Sequence, residues 1–212
     1  ASQQFNINLL PWKDITFTGD LRISGASACS GRNNNYLFIF SESTWSLSNA
    51  SNAPPTIWSY CAITLLDETI LYIGGMFYDV SNDTDTLLPL NSLPLYDSTS
   101  DTWKSLDTYD PTPPSRRAFS AVLTSDKRII IFGGLDENFS ALGDLWILDI
   151  ATKQWSTVNI SNPNGLTLSS HTATLVDNYD CGYNITNDSS TIYMLDVSRR
   201  DFYTWVTEFI PI

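Results

Sequence analysis

Short apolar runs of strand length, cut by clusters of Gly, Pro, Asn, Asp and Ser, make up most of this chain. Such runs predict β-strands, and apolar residues recurring at a period of 3.6 are hard to find, so almost no helix is expected. The clearest stretch opens Pro113-Pro114-Ser115-Arg116-Arg117-Ala118-Phe119-Ser120-Ala121-Val122-Leu123 and continues Arg128-Ile129-Ile130-Ile131-Phe132-Gly133-Gly134. It then gives Gly143-Asp144-Leu145-Trp146-Ile147-Leu148-Asp149-Ile150 and closes on Lys153-Gln154-Trp155. Four strand patterns follow one another there, separated by turn residues.

The same order recurs. One copy has Trp58-Ser59-Tyr60-Cys61-Ala62-Ile63, Ile70-Leu71-Tyr72-Ile73-Gly74-Gly75, Leu95-Tyr96-Asp97 and Trp103. Another has Ser170-His171-Thr172-Ala173-Thr174-Leu175, a degenerate Tyr179-Asp180-Cys181-Gly182, Ile192-Tyr193-Met194-Leu195-Asp196-Val197 and Trp205. The first copy is the poorest, with Gly25-Ala26-Ser27-Ala28-Cys29, Tyr36-Leu37-Phe38-Ile39-Phe40 and an early Trp45. Trp103, Trp155 and Trp205 are spaced 52 and 50 residues apart, a period that marks stacked supersecondary units. The expected organisation is a single domain over 1–212. Its blade-like segments fall at about 13–45, 46–103, 104–155 and 156–205, and 1–12 with Trp12 reads as the outer strand of a preceding or closing blade.

The motif chemistry is structural. The pairs Gly74-Gly75 and Gly133-Gly134 let the chain turn where a side chain would clash. Each closing Trp fills the wedge between neighbouring sheets. The Asp ending each third strand hydrogen-bonds turn backbone.

These residues resemble the kelch repeat over nearly the whole chain, most closely at 114–155. The layout is similar to fungal kelch ectodomains of the galactose-oxidase-like superfamily. The resemblance implies an all-β, kelch-type β-propeller with the Ser/His strand innermost and the Trp strand outermost. It also implies a domain that binds protein or carbohydrate. Kelch propellers usually carry more blades than the about four, partly degenerate, for which this chain has material. An incomplete or open ring is therefore expected. Its uncovered edges would make the isolated chain associate or be marginally stable.

Composition narrows the partner. The chain has 212 residues, enough for one domain with a sizeable core, and 11 basic against 23 acidic residues, a net charge of -12. That balance argues against nucleic acid and against anionic lipid, because both need a basic face. No stretch approaches the roughly 18 apolar residues of a membrane span, so no membrane insertion is expected. The chain starts at Ala1 without a charged segment followed by an apolar one, and reads as mature or trimmed. The sequons Asn49, Asn82, Asn138, Asn159, Asn184 and Asn187 tilt the expectation to a glycoprotein, extracellular or at the cell surface. Cys29, Cys61 and Cys181 form no CxxC pair, which argues against zinc, and they read as small buried hydrophobes with their pairing open.

Candidate catalysis finds little support. The superfamily includes copper-radical oxidases, whose site needs two histidines, and His171 is the single histidine here. A sialidase Asp-box lacks its glycine in Ser98-Thr99-Ser100-Asp101-Thr102-Trp103. A Ser-His-Asp hydrolase lacks a Gly-x-Ser-x-Gly elbow. Asp79, Asp83 and Asp85 do not have EF-hand spacing and read as a solvated loop. No catalytic residue, metal or cofactor is expected.

The leading functional reading is a non-enzymatic module for protein or glycan recognition. The alternatives are a relic of a galactose-oxidase-like enzyme and a degenerate structural fragment. The resemblance places Trp58, Tyr60, Arg116, Arg117, Phe119 and His171 at the start of the innermost strands, ringing a channel mouth. Arg116 and Arg117 would there anchor an acidic or carboxylate-bearing partner, unless Arg116 and His171 serve the scaffold.

Overall fold

The computed structural model describes residues 53–175 and 192–207, with the backbone of 27–31, 36–40, 176 and 179–183. Trp12, Asn49, Asn184 and Asn187 lie outside the described residues. Strands β1 (Ser27–Gly31) and β2 (Tyr36–Phe40) form an antiparallel pair. Next come β3 (Ile57–Trp58), β4 (Cys61–Thr64), β5 (Ile70–Ile73), β6 (Met76–Asp79), β7 (Thr84–Leu87), β8 (Ser92–Asp97) and β9 (Thr102–Asp107). The chain continues through β10 (Ser120–Leu123), β11 (Arg128–Phe132), β12 (Leu145–Asp149) and β13 (Gln154–Val158). It ends with β14 (Thr172–Val176), β15 (Tyr179–Tyr183), β16 (Ile192–Asp196) and β17 (Thr204–Val206).

Three four-stranded antiparallel sheets result, in the orders β4-β5-β8-β9, β10-β11-β12-β13 and β14-β15-β16-β17. Their innermost strands meet in chain order, β1 beside β4, β4 beside β10 and β10 beside β14. This is the arrangement of propeller blades about an axis.

The second strand of each blade explains the unbroken apolar runs. Successive side chains on a strand point to opposite faces. Ile129 and Ile131 of β11 join Ile63, Leu71, Ile73 and Trp155 in the seam toward the preceding blade. Ile130 and Phe132 join Leu195, Val197 and Tyr203 in the seam toward the next. Both faces of a middle blade are interior, so the strand is apolar throughout rather than alternating.

The outer strands close the seams. Trp155 is fully buried, and its indole N–H donates to the Leu90 carbonyl at 3.0 Å and to Thr108 Oγ1 at 3.1 Å, both in the preceding blade. Trp205 donates to Asn162 Oδ1 at 3.1 Å and stands edge-on to Phe132. A polar clamp that no sequence pattern announced adds to the second seam. Buried Arg128 donates to Asp126, to the Tyr203 hydroxyl and to the Val197 carbonyl, while Arg200 reaches Asp126 at 2.9 Å. The turn aspartates behave as expected. Asp97 accepts from the Thr99 amide, Asp149 from Ala151 and Asp196 from Ser198, each at 2.9 Å.

Two expectations change. The run 58–63 is not one strand. It breaks at Ser59, whose φ is +55°, so that Ile57–Trp58 pairs with β6 while Cys61–Thr64 pairs with β5. The acidic stretch around Asp79, Asp83 and Asp85 is a hairpin, β6–β7, rather than a loop. Asp79 caps its turn by accepting from the Ser81 amide at 2.9 Å and the Asn82 side chain at 2.7 Å, bonds that hold its carboxyl below the usual range. The hairpin is inserted between the second and third strands of its blade.

Candidate functional site

The predicted cluster sits on a repeated backbone device. Ser59, Ala118 and Ser170 precede the innermost strands at equivalent positions, and all three are left-handed, with φ of +55°, +54° and +53°. The Ala118 amide donates to the Ser59 carbonyl and the Ser170 amide to the Ala118 carbonyl, each at 2.8 Å. The glycine pairs stitch the same seam one layer out. Gly75 N–H donates to the Arg116 carbonyl at 3.0 Å and Gly134 N–H to the Leu168 carbonyl at 2.8 Å. Gly134 has a φ of +101°, and a Cβ there would lie 2.8 Å from the Arg117 carbonyl oxygen, so neither conformation nor space admits a side chain.

This device brings the six predicted residues to one end of the blades but turns most of them inward. Tyr60, Phe119 and His171 directly follow the left-handed residues, and all three are buried in the seams. Cys61, one strand position beyond Tyr60, donates its thiol to the Phe119 carbonyl at 3.1 Å, and burial pushes its pKa up to about 12. The thiol is partly covered and, with its pKa raised, unreactive.

Arg116 occupies the slot filled by Ile57 and Leu168 in the neighbouring copies, and it is 0% exposed. Its guanidinium meets Asp144 in a bidentate pair at 2.7 and 2.8 Å and also donates to the carbonyls of Gly133 and Pro114. Burial raises the Asp144 carboxyl, but the bonds and charge of Arg116, together with the Trp146 indole, outweigh it and hold the group below its usual range. With four hydrogen bonds made inside the blade and no exposed surface, Arg116 presents no face to a partner, which corrects its placement as a surface anchor. Its role in the scaffold was legible only as the alternative; Asp144 as its mate was missed, since the two lie 28 residues apart.

His171 is also interior. Both ring nitrogens are buried and lack a hydrogen-bond partner among the described residues, and burial lowers its pKa to about 4. The adjoining space, lined by Ser120, Phe132, Tyr193 and Trp205 among others, measures about 10 Å³ and admits at most one water. Among the described residues His171 is thus a seam residue, edge-on to Phe132.

Arg117 and Trp58 keep partial exposure. Arg117 exchanges two backbone hydrogen bonds with Leu135, which ties the 135–141 loop to the lead-in of β10. Its guanidinium lies 4.1 Å from the centre of the Phe139 ring and contacts Met76 Sδ at 2.7 Å. Phe139 is 69% exposed at the tip of that loop, held at a φ of +62° while Asp136 caps the Asn138 and Ser140 amides. Across from it stands the β6–β7 hairpin, with Tyr78 49% exposed.

Between hairpin and loop lies a groove of about 990 Å³. Its walls include Tyr78, Asp83 and Asp85 on one side and Asp136, Glu137 and Phe139 on the other, with Met76 and Arg117 between them. The Tyr78 hydroxyl donates to Asp83; that bond, some desolvation and the charge of Asp85 all raise its pKa. The groove is therefore electronegative. The expected anchor pair for an acidic partner is thereby reduced to Arg117, which shares its groove with four carboxylates, because Arg116 is internal. Sequence reasoning missed the groove because the hairpin forming one wall was read as a loop.

The blade order, the glycine-stitched seams and the closing tryptophans define a kelch-type β-propeller. Residues 23–183 match the family model described as the KLHDC2/KLHL20/DRC7 Kelch-repeats domain, and the chain belongs to that family. Acyl-CoA-binding domain-containing protein 4 of Arabidopsis thaliana is 32% identical over 122 residues, covering 56% of this chain and 17% of that protein. Host cell factor 1 of Homo sapiens is 27% identical over 182 residues, covering 74% of this chain and 8% of that protein. The chain thus spans a small part of the relatives it matches. The solved structure of YjhT aligns with a TM-score of 0.63 over 91% of this chain and 66% of that one, at 10% identity, which shows the fold. Kelch-repeat domains generally mediate protein–protein interaction.

Proposed function

We propose that this chain is a non-enzymatic protein-binding module whose contact surface is the groove between the β6–β7 hairpin and the 135–141 loop. The observation that carries this is the exposed Phe139 stacked on Arg117 beside exposed Tyr78, on a frame tied by backbone hydrogen bonds. Aromatic and arginine side chains on loops above a rigid scaffold are the usual hot-spot composition. A photo-crosslinking residue at position 139 is expected to give a discrete protein adduct in the native host, and the same residue at Leu66, exposed but outside the groove, is expected to give none. Equal labelling from both positions, or none from 139, would refute the assignment.

The exposed sequons Asn82, Asn138 and Asn159 support a second proposal, an extracellular or cell-surface setting. Peptide mapping of protein from the native host is expected to find a glycan at Asn138, which stands in a capped turn with its side chain in solvent. All sequons bare would overturn this proposal.

A further inference from the structure

We infer that the groove takes a basic segment of its protein partner, one presenting Lys or Arg side chains; this rests on the protein-binding reading above. The groove carries four carboxylates against one guanidinium. Asp83 is engaged by Tyr78, and Asp136 caps its own turn. Asp85 and Glu137, one on each wall, form no side-chain ion pair among the described residues and are the groove's available anions.

Arg117 does not neutralise them. Its guanidinium is in none of the described ion pairs and is held against Phe139 and Met76. An acidic segment would meet like charge on both walls, and like-charge contact is strongly selected against at interfaces.

The apolar surface fits the same partner. Lys and Arg carry long aliphatic stems that cover apolar surface while the charged head stays with water or a carboxylate. Leu87 and the exposed ring of Phe139 supply that surface, and Tyr78 adds an electron-rich face to which a cation is attracted. A volume of about 990 Å³ is at the upper end for a ligand cleft and accommodates several side chains. The chain's net charge of -12 draws a basic partner in from a distance, but the groove is where charge, apolar surface and concavity coincide.

The test must separate the groove from bulk charge. A displayed random-peptide library is selected on the intact, unglycosylated chain, on D85K/E137K, and on E68K/D201K. The last variant makes the same change in net charge outside the groove. Lys and Arg are expected to be enriched about threefold or more on the parent chain and on E68K/D201K, with the enrichment lost on D85K/E137K. The milder D85N/E137Q is expected to reduce it, which guards against misfolding of the reversed-charge variant. Neutral or acidic selected peptides would overturn the inference, as would equal loss in both reversed-charge variants. If these fail while position 139 still crosslinks a protein, the groove binds a partner of other chemistry; if the crosslink fails as well, the protein-binding reading falls with it.

Discussion

Trp155→Ala lowers the folding stability of this chain by roughly 4 kcal/mol, the upper range for a buried aromatic cut to alanine. The indole is 0% exposed and lies in the seam with Ile63, Leu71, Ile73, Ile129 and Leu148. The wedge it fills is bounded by two sheets whose inner ends are tied by backbone hydrogen bonds, so the walls cannot collapse onto the space. The change also removes the donor to the Leu90 carbonyl and Thr108 Oγ1. Small domains have a total stability of about 5–15 kcal/mol, so roughly a quarter to four fifths of the reserve would go. Chemical denaturation of the parent chain, Trp155→Ala and Trp155→Phe measures this. A loss below about 1.5 kcal/mol for the alanine variant would mean that the seam does not depend on its tryptophan.

Acid weakens the second seam through His171. The folded imidazole titrates near 4 instead of the usual 6.5, because burial disfavours its charged form. The unfolded chain therefore binds more protons between these values, and stability rises with pH there. The contribution is complete above pH 6.5 and is lost as pH falls toward 4, by roughly 3 kcal/mol at about 1.36 kcal/mol per unit. Below that window the carboxyls of Asp126, Asp144 and Asp149, all held under their ordinary 3.8, add their own loss. Relief of repulsion on an acidic chain acts in the opposite direction, so the comparison is with His171→Phe, which keeps a ring and removes both nitrogens. The parent is expected to lose stability more steeply than this variant between pH 6.5 and 4. Parallel curves would show that the imidazole is not the responsible group.

Much of the scaffold was legible from the chain. The run at 129–132 announced a strand, Gly133-Gly134 announced a tight approach, and the Trp spacing announced the blade period. The site was less legible, for a physical reason. Alternation along a strand distinguishes its two faces, but in a stacked blade both faces are interior. Phe119, Tyr60 and His171 thus look alike in sequence whether they enter a seam or meet a ligand. Arg116 and Arg117 are adjacent, yet one is a fully buried scaffold cation and the other lines a groove; what separates them is the carboxylate of Asp144, distant in sequence. The β6–β7 hairpin escaped notice because Thr84–Leu87 is polar and pairs at an exposed edge, with little apolar pattern to show it.

The left-handed residues before the innermost strands bear on how such repeats drift apart. At this position the chain has Ser59, Ala118 and Ser170, flanked by Trp58 and Tyr60, by Arg117 and Phe119, and by Ser169 and His171. Adjoining blades are joined there by amide and carbonyl groups, which every one of these residues supplies. Side chains at the mouth of the propeller are thereby released from holding the ring together. Each copy is free to diverge there, within what its own seam can bury, which accounts for a fold that outlasts its signature.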